Sequence, residues 1–170
     1  MDKEDIEKYL RMVGQELQNQ GLTYELLLLG GAAMLIEVGN RNSTQDVDTY
    51  FLPDFVAIAK AAAVVAGREG LPDGWLNSAA AGFTHNFIRQ PSKKLWKTFP
   101  GLNVYTASLD YLLVTKIMAS RPKDDPDIAA LAKMLGISKR KDVIALMLQY
   151  VPKEHLTPDL LNEIEERFEP

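Results

Sequence analysis

Apolar residues recur every three or four positions near the start of the chain and again in its last third. At the start they are Ile6, Tyr9, Leu10, Val13 and Leu17. This spacing predicts an amphipathic helix, which the polar stretch 18–21 ends with a glycine. The same criteria predict further helices at 32–38, 55–68, 109–120 with Ser108 as cap, 128–135 ending at Gly136, from Ser138 to about 150, and from Thr157-Pro158 onward.

Three shorter segments have the features of strands. Residues 26–29 are four consecutive leucines that two glycines stop, which indicates a buried strand. Residues 46–52 alternate between apolar and polar side chains, as a half-buried strand does. A third strand is predicted at 102–106, whereas 75–81 fits either a short strand or a helix. Strands that alternate with helices and then give way to helices predict an α/β (α+β) fold with a helical annex.

Composition narrows the class of protein. A length of 170 residues predicts a single domain, in which we expect a core over 1–110 and a helical annex over 111–170 packed on it. The net charge of −4 argues against a globally basic nucleic-acid binder. The chain has no cysteine, which excludes disulfides and thiolate metal sites. The apolar run 61–66 is too short to cross a membrane, and the charged start does not resemble a signal peptide, so a cytoplasmic location is expected.

The candidate chemistry lies at a glycine pair and an aspartate pair. Gly30 and Gly31 stand between a predicted strand and a helix start, where backbone amides can approach a phosphate. Asp46 and Asp48 are two apart on a predicted strand, so both carboxylates point to one face. Two such carboxylates repel unless a cation lies between them, and Mg²⁺ binds a few carboxylates together with substrate phosphates. The combination is suited to nucleotidyl transfer.

The motifs around these residues resemble the nucleotidyltransferase superfamily. Leu29-Gly30-Gly31 followed by Arg41-Asn-Ser-Thr-Gln-Asp-Val-Asp48 is similar to its first motif. The block Lys116-Ile-Met-Ala-Ser-Arg-Pro-Lys-Asp-Asp-Pro-Asp-Ile128 is similar to a later block of the AbiEii-type toxin branch and its uncharacterised bacterial relatives. The resemblance implies the nucleotidyltransferase fold, with a small mixed sheet flanked by helices.

The resemblance also implies roles for single residues. Gly30 and Gly31 would hold the triphosphate, Arg41 would pair with a phosphate or a carboxylate, and Thr44 would orient the first aspartate. Asp46 and Asp48 would be catalytic ligands of Mg²⁺ or Mn²⁺. Lys116 would act near the phosphates or the acceptor, while Asp124 and Asp127 would support the site or position a helix. The substrates implied are a nucleoside triphosphate and a hydroxyl acceptor such as tRNA, and a toxin–antitoxin pair would supply a protein partner.

One departure from the superfamily leaves a second function open. Active members usually carry a third carboxylate on the next core strand, and related proteins often have an acid where this chain has Ser78. Asp73 and Asp110 are the candidate substitutes, although both occupy turn or helix-start positions. The alternative is therefore a degenerate member that binds nucleotide or a protein partner without turnover. A third alternative is an interaction module in which the glycines form only a turn.

Several features also have ordinary structural explanations. Lys116 lies on an apolar helix and could extend its amine to solvent. His85 and His155 are expected on the surface. Lys93, Lys94, Trp96 and Lys97 form either a solvated loop or a contact for nucleic acid.

Overall fold

The computed structural model describes residues 1–51 and 55–170. These residues form two compact units. The first unit comprises 1–82 and 93–107, and the second comprises 83–92 and 108–170. The predicted domain boundaries, 1–110 and 111–170, stay a prediction.

The first unit is built on a five-stranded mixed sheet with the order β3-β2-β1-β5-β4. Its strands are β1 (Tyr24–Leu28), β2 (Val47–Phe51), β3 (Leu76–Asn77), β4 (Lys93–Phe99) and β5 (Leu102–Ala107). β1 runs parallel to β5 and antiparallel to β2, while β2 and β3 are parallel and β4 and β5 are antiparallel. The predicted end of the second strand at Leu52 lies outside the described residues.

Three helices of this unit contact the sheet: α1 (Lys3–Asn19), α2 (Gly30–Glu37) and α3 (Phe55–Glu69). A fourth helix, α4 (Ala79–Phe83), ends at the boundary between the units. α1 contacts α3, β4 and β5, and α2 contacts β2. The core contains the apolar stripe of α1 and the inward residues of the central strands: Ile6, Leu10, Val13, Leu17, Leu26, Leu28 and Val104.

The second unit is helical. Its helices are α5 (Leu109–Ala119), α6 (Asp125–Leu135), α7 (Arg140–Met147) and α8 (Pro158–Arg167). α5 contacts the other three, and Tyr111, Leu112 and Leu113 of α5 are almost fully buried. Gly136 ends α6 in the left-handed conformation, as predicted.

The α/β fold class with a mixed sheet is confirmed, but two local predictions are wrong. Residues 93–97 belong to β4 rather than to a loop. Their charged sequence has no strand pattern of its own, and they form a strand because they pair with β5. The cap of α7 is Lys139, not Ser138. Ser108 precedes α5 as predicted, but its side chain makes no capping hydrogen bond. The ambiguous segment 75–81 contains both β3 and the start of α4.

None of the helices in the described part of the chain combines the length and the apolarity that a membrane crossing requires.

Candidate active site

Gly30 brings the backbone into direct contact with Asp48. α2 begins at Gly30 itself, immediately after β1, and Gly30 adopts the left-handed conformation with φ of +54°. A Cβ at this position would lie 3.0 Å from Cγ of Asp48 and still closer to its Oδ2. An L side chain would therefore be strained and would also displace the carboxylate.

Gly31 likewise brings the backbone into close contact with the loop between α2 and β2. A Cβ here would lie 3.1 Å from Nη1 of Arg41 and 3.2 Å from Cβ of Thr44, with the Thr44 hydroxyl closer still. The two glycines, Arg41, Thr44 and Asp48 are all half-buried, so this corner is partly accessible from outside. The structure thus brings together five of the residues that the sequence singled out.

Asp46 is held from two directions. The Thr44 hydroxyl donates to the main-chain carbonyl of Asp46 at 3.0 Å, so it fixes the backbone of this residue rather than its carboxylate. The carboxylate itself accepts a hydrogen bond from Nδ2 of Asn77, 3.0 Å from Oδ2. Thr44 is tied in turn to Met1 through its backbone N–H and carbonyl, at 2.9 and 2.7 Å.

Asn77 is a site residue that the sequence analysis missed. It lies opposite Asp48 in the parallel register of β2 and β3. Its carbonyl oxygen Oδ1 accepts from the backbone N–H of Ala79 at 2.9 Å, and its main-chain carbonyl accepts from the Thr49 hydroxyl at 2.8 Å. The signal available in the sequence was the pair Leu76-Asn77, apolar then polar, but a two-residue strand is too short to fix a register without its partner.

The start of α2 is suited to an anion. The first turn of any helix leaves backbone N–H groups without intrahelical acceptors, and the N-cap residue here is Leu29, which makes no side-chain capping hydrogen bond. The first turn of α2 also contains no acidic residue. Its amides can therefore donate to phosphate oxygens, with the positive end of the helix dipole oriented toward them.

Asp48, which contacts Gly30, and Asp46, two residues before it, could together bind a divalent ion that is shared with a substrate. Asp46 and Asp48 supply two carboxylates, whereas the described residues contain no group of three or more acidic or histidine side chains that could hold a metal alone. Mg²⁺ is commonly bound through one or two carboxylates plus substrate phosphates. The glycine corner beside Asp48 is where such phosphates would lie.

Lys116 is buried in an ion cluster of the second unit. Its side chain is 4% exposed, and its amine lies 2.6 Å from Asp124 Oδ1 and 2.8 Å from Asp127 Oδ2. Both acids are buried as well, and Arg121 donates to Asp124 at 2.7 Å. Lys116 therefore does not extend its amine to solvent. The cluster connects α5 with α6 and the turn before it, and the predicted role of Lys116 beside the phosphates stays a prediction.

The two candidate substitutes for a third carboxylate have different surroundings. Asp73 is exposed in the turn before β3. Asp110, at the start of α5, accepts hydrogen bonds from the Tyr150 hydroxyl at 2.6 Å and the Tyr111 amide at 2.8 Å. Burial acts to raise the pKa of Asp110, but the side chains of Ser108 and Tyr150 and the Tyr111 amide outweigh it and hold the pKa below its ordinary value. Burial and the hydrogen bond to Asp110 raise the pKa of Tyr150 to about 12.

The lysines of β4 have carboxylate partners. Lys93 pairs with Glu25, Lys94 pairs with Glu37 at 3.2 Å, and Lys97 pairs with Glu7 at 3.4 Å. These pairs reduce the positive potential that a phosphate backbone would need. The structure therefore favours neither a loop nor a nucleic-acid contact here, but a charged edge strand.

A mixed sheet in which Gly30 contacts an aspartate on the adjacent strand is consistent with a nucleotidyltransferase-like fold. Residues 8–151 match the family described as nucleotidyltransferase of unknown function (DUF6036), and the chain belongs to this family. A search of curated proteins found no match to the chain.

Proposed function

We propose that this protein is a Mg²⁺-dependent nucleotidyltransferase that moves a nucleoside monophosphate from a nucleoside triphosphate to a hydroxyl acceptor. The observation that carries the proposal is the packing of Asp48 against Gly30, at the start of α2. One place in the molecule thereby offers backbone donors for phosphates and a carboxylate for a cation. Membership of a nucleotidyltransferase family supports the same conclusion.

The residues of the chain have distinct tasks in this proposal. The amides at Gly30 and Gly31 bind the phosphates, and the planar guanidinium of Arg41, next to Gly31, orients them. Asp46 and Asp48 would hold Mg²⁺ or Mn²⁺, which when bound neutralises charge on the phosphates. The acceptor oxygen forms a bond to the α-phosphorus, the bond to pyrophosphate breaks, and the hydroxyl proton goes to water.

The test is incorporation of label from the four α-labelled nucleoside triphosphates, with Mg²⁺ or Mn²⁺ and with total RNA or total protein as acceptor. We expect incorporation by the wild-type protein and none by Asp46→Ala or Asp48→Ala. Asp159→Ala is the matched control, because it removes an exposed carboxylate of α8 that belongs to none of the site motifs and should leave incorporation unchanged. Wild-type incorporation by the Asp46→Ala, Asp48→Ala double variant would contradict the proposal.

The finer assignment is to the AbiEii-type toxin branch, and it rests on the motif resemblance over 29–48 and 116–128. It makes tRNA the first acceptor to test and an antitoxin the first protein partner. Sensitivity of the labelled product to ribonuclease or to protease distinguishes an RNA acceptor from a protein acceptor.

A second candidate function is nucleotide binding without turnover. The observation that favours it is Asn77, an uncharged amide beside Asp46 where a carboxylate could have served as a base. This function predicts that Mg²⁺ with nucleoside triphosphate raises the melting temperature while no acceptor becomes labelled. Incorporation that depends on Asp46 and Asp48 would exclude it.

A further inference from the structure

The orientation of the Asn77 amide is fixed by hydrogen bonds on both of its sides. The backbone N–H of Ala79 can only donate, so the side-chain atom that it contacts at 2.9 Å is the carbonyl oxygen. The amide nitrogen consequently points to Asp46 Oδ2, 3.0 Å away. Asn77 therefore presents a donor, and not an oxygen ligand, to the carboxylate.

The backbone of Asn77 is fixed as well. It pairs with Asp48 in the parallel ladder between β2 and β3, and the buried Thr49 hydroxyl donates to its main-chain carbonyl. Asn77 thus stands at a set distance from both aspartates, on the side of Asp46 that faces β3. A substitution of similar shape should place its own side-chain atoms in the same position.

The chemistry of this position decides how many cations the site can bind. A carboxylate oxygen is a ligand for a hard divalent cation, whereas an amide N–H carries a partial positive charge and repels one. With the N–H on Oδ2, this oxygen of Asp46 already accepts a hydrogen bond on the side where Asn77 lies. A second ion beside Oδ2 of Asp46 would need an anionic oxygen where the amide nitrogen now lies.

We propose that Asn77 is a positioning residue that restricts the aspartate pair to one divalent ion, held weakly until a nucleotide adds its phosphates. The inference rests on the proposed function for the identity of the site. It adds that a single amide sets the number of ions and their affinity.

The test is binding of Mn²⁺ alone, without nucleotide, to the wild-type protein and to Asn77→Asp, by calorimetry and electron paramagnetic resonance. The new carboxylate keeps its contact with Ala79 and places an anionic oxygen beside Asp46. We expect the Kd for Mn²⁺ to fall about tenfold or more, because one added charge near the ion has that effect in a partly accessible site. We also expect a second bound ion, visible as coupling between two Mn²⁺ spins.

Asn103→Asp is the matched control, because Asn103 is a half-buried asparagine of β5 in the same sheet. It should leave both the Kd and the stoichiometry at wild-type values. Adding Asp48→Asn to the Asn77→Asp variant should abolish the second ion, since it removes one of the three carboxylates.

Asn77→Ser keeps the inference testable even if the new carboxylate prevents folding without metal. It frees Asp46 Oδ2 from the N–H without adding charge, so the Kd for Mn²⁺ should fall by a smaller factor of about three. Unchanged affinity and stoichiometry in folded Asn77→Asp, or in Asn77→Ser where the former does not fold, would overturn the inference. So would an equal gain in Asn103→Asp.

Failure of this inference is distinguishable from failure of the proposed function. Label incorporation that depends on Asp46 and Asp48, together with unchanged Mn²⁺ binding in the Asn77 variants, removes the inference alone. A gain of Mn²⁺ binding in Asn77→Asp by a protein that incorporates no label supports the inference and removes the proposed turnover.

Discussion

The close packing around Gly30 and Gly31, the glycine corner, is possible because neither residue has a Cβ atom. Gly30 combines a positive φ with direct contact to Asp48, whereas Gly39, which follows the C-cap of α2, has a φ of +68° and open space around it. Substitutions at these two glycines therefore distinguish the effect of backbone strain, which both share, from the effect of displacing the Asp48 carboxylate, which only Gly30 has.

We predict that Gly30→Ala weakens Mg²⁺–ATP binding strongly and that Gly39→Ala does not. Both substitutions should lower the free energy of unfolding by about 1–2 kcal/mol through strain at a positive φ. Only Gly30→Ala also pushes Asp48 away. The melting temperature with and without Mg²⁺–ATP measures the difference, and equal ligand-induced shifts in the two variants would contradict the proposed role of Gly30.

Lys116 is a buried charge whose partners are also buried. We predict that Lys116→Met lowers the free energy of unfolding by about 3–5 kcal/mol, because it leaves Asp124 and Asp127 as buried charges without their main cation. Urea denaturation measures this loss. Lys133→Met, at an exposed position of α6, is the control and should have little effect.

A second variant tests whether uncompensated charge causes the loss of stability in Lys116→Met. Combining Lys116→Met with Asp124→Asn and Asp127→Asn removes the uncompensated charges, so it should recover part of the lost stability. If the triple variant is less stable than Lys116→Met alone, the cluster has a different role from the one assigned here.

At the scale of elements, Asp110 and Tyr150 tie the start of α5 to the segment that follows α7. The Tyr150 ring also packs edge-to-face on Tyr111, with 5.3 Å between the ring centroids. Because the pKa of Asp110 is lower in the folded than in the unfolded chain, its stabilising effect is present above about pH 4. The effect is lost as the pH falls through the lower folded value.

We predict that Tyr150→Phe moves the acid-unfolding midpoint to higher pH, because the loss of the hydroxyl donor raises the pKa of Asp110 toward its ordinary value. At neutral pH the variant should lose about 1–3 kcal/mol, as expected for a hydrogen bond to a charged group. Circular dichroism over an acid titration measures both effects. Tyr9→Phe is the control, and an identical midpoint in the wild-type and Tyr150→Phe proteins would contradict the assignment.

The elements that the sequence predicted are those whose pattern is local. α1 and α3 have long apolar stripes, and β1, β2 and β5 have an apolar run or a clear alternation, so each could be located without knowledge of its neighbours. β3 and β4 could not, because one has two residues and the other is charged. Both are strands only through pairing with β2 and β5.

The residues of the candidate site also differ in whether the sequence alone could identify them. Gly30, Gly31, Asp46 and Asp48 lie in motifs that can be recognised along the chain. Asn77 could not be found, because its role comes from the register of two strands and from a contact between positions 31 residues apart. Sequence also could not show that Lys116 is enclosed by two buried acids.

At the scale of the whole molecule, the charge distribution is that of a mildly acidic protein. The net charge is −4, and the basic residues of β4 are neutralised by carboxylates. β4 would therefore supply few contacts to the phosphates of an RNA acceptor. In the proposed function, affinity for the nucleotide comes from Gly30, Gly31 and the two aspartates rather than from these lysines.

The most direct measurement is calorimetric titration of ATP into the wild-type protein and into the Asp46→Asn, Asp48→Asn variant, each with Mg²⁺ and with chelator. We predict that the wild-type protein binds ATP only with Mg²⁺ and that the double variant binds it at least about tenfold more weakly. Equal affinity in the two proteins, or wild-type binding that is indifferent to the chelator, would contradict a metal-bridged nucleotide site at Gly30 and Asp48.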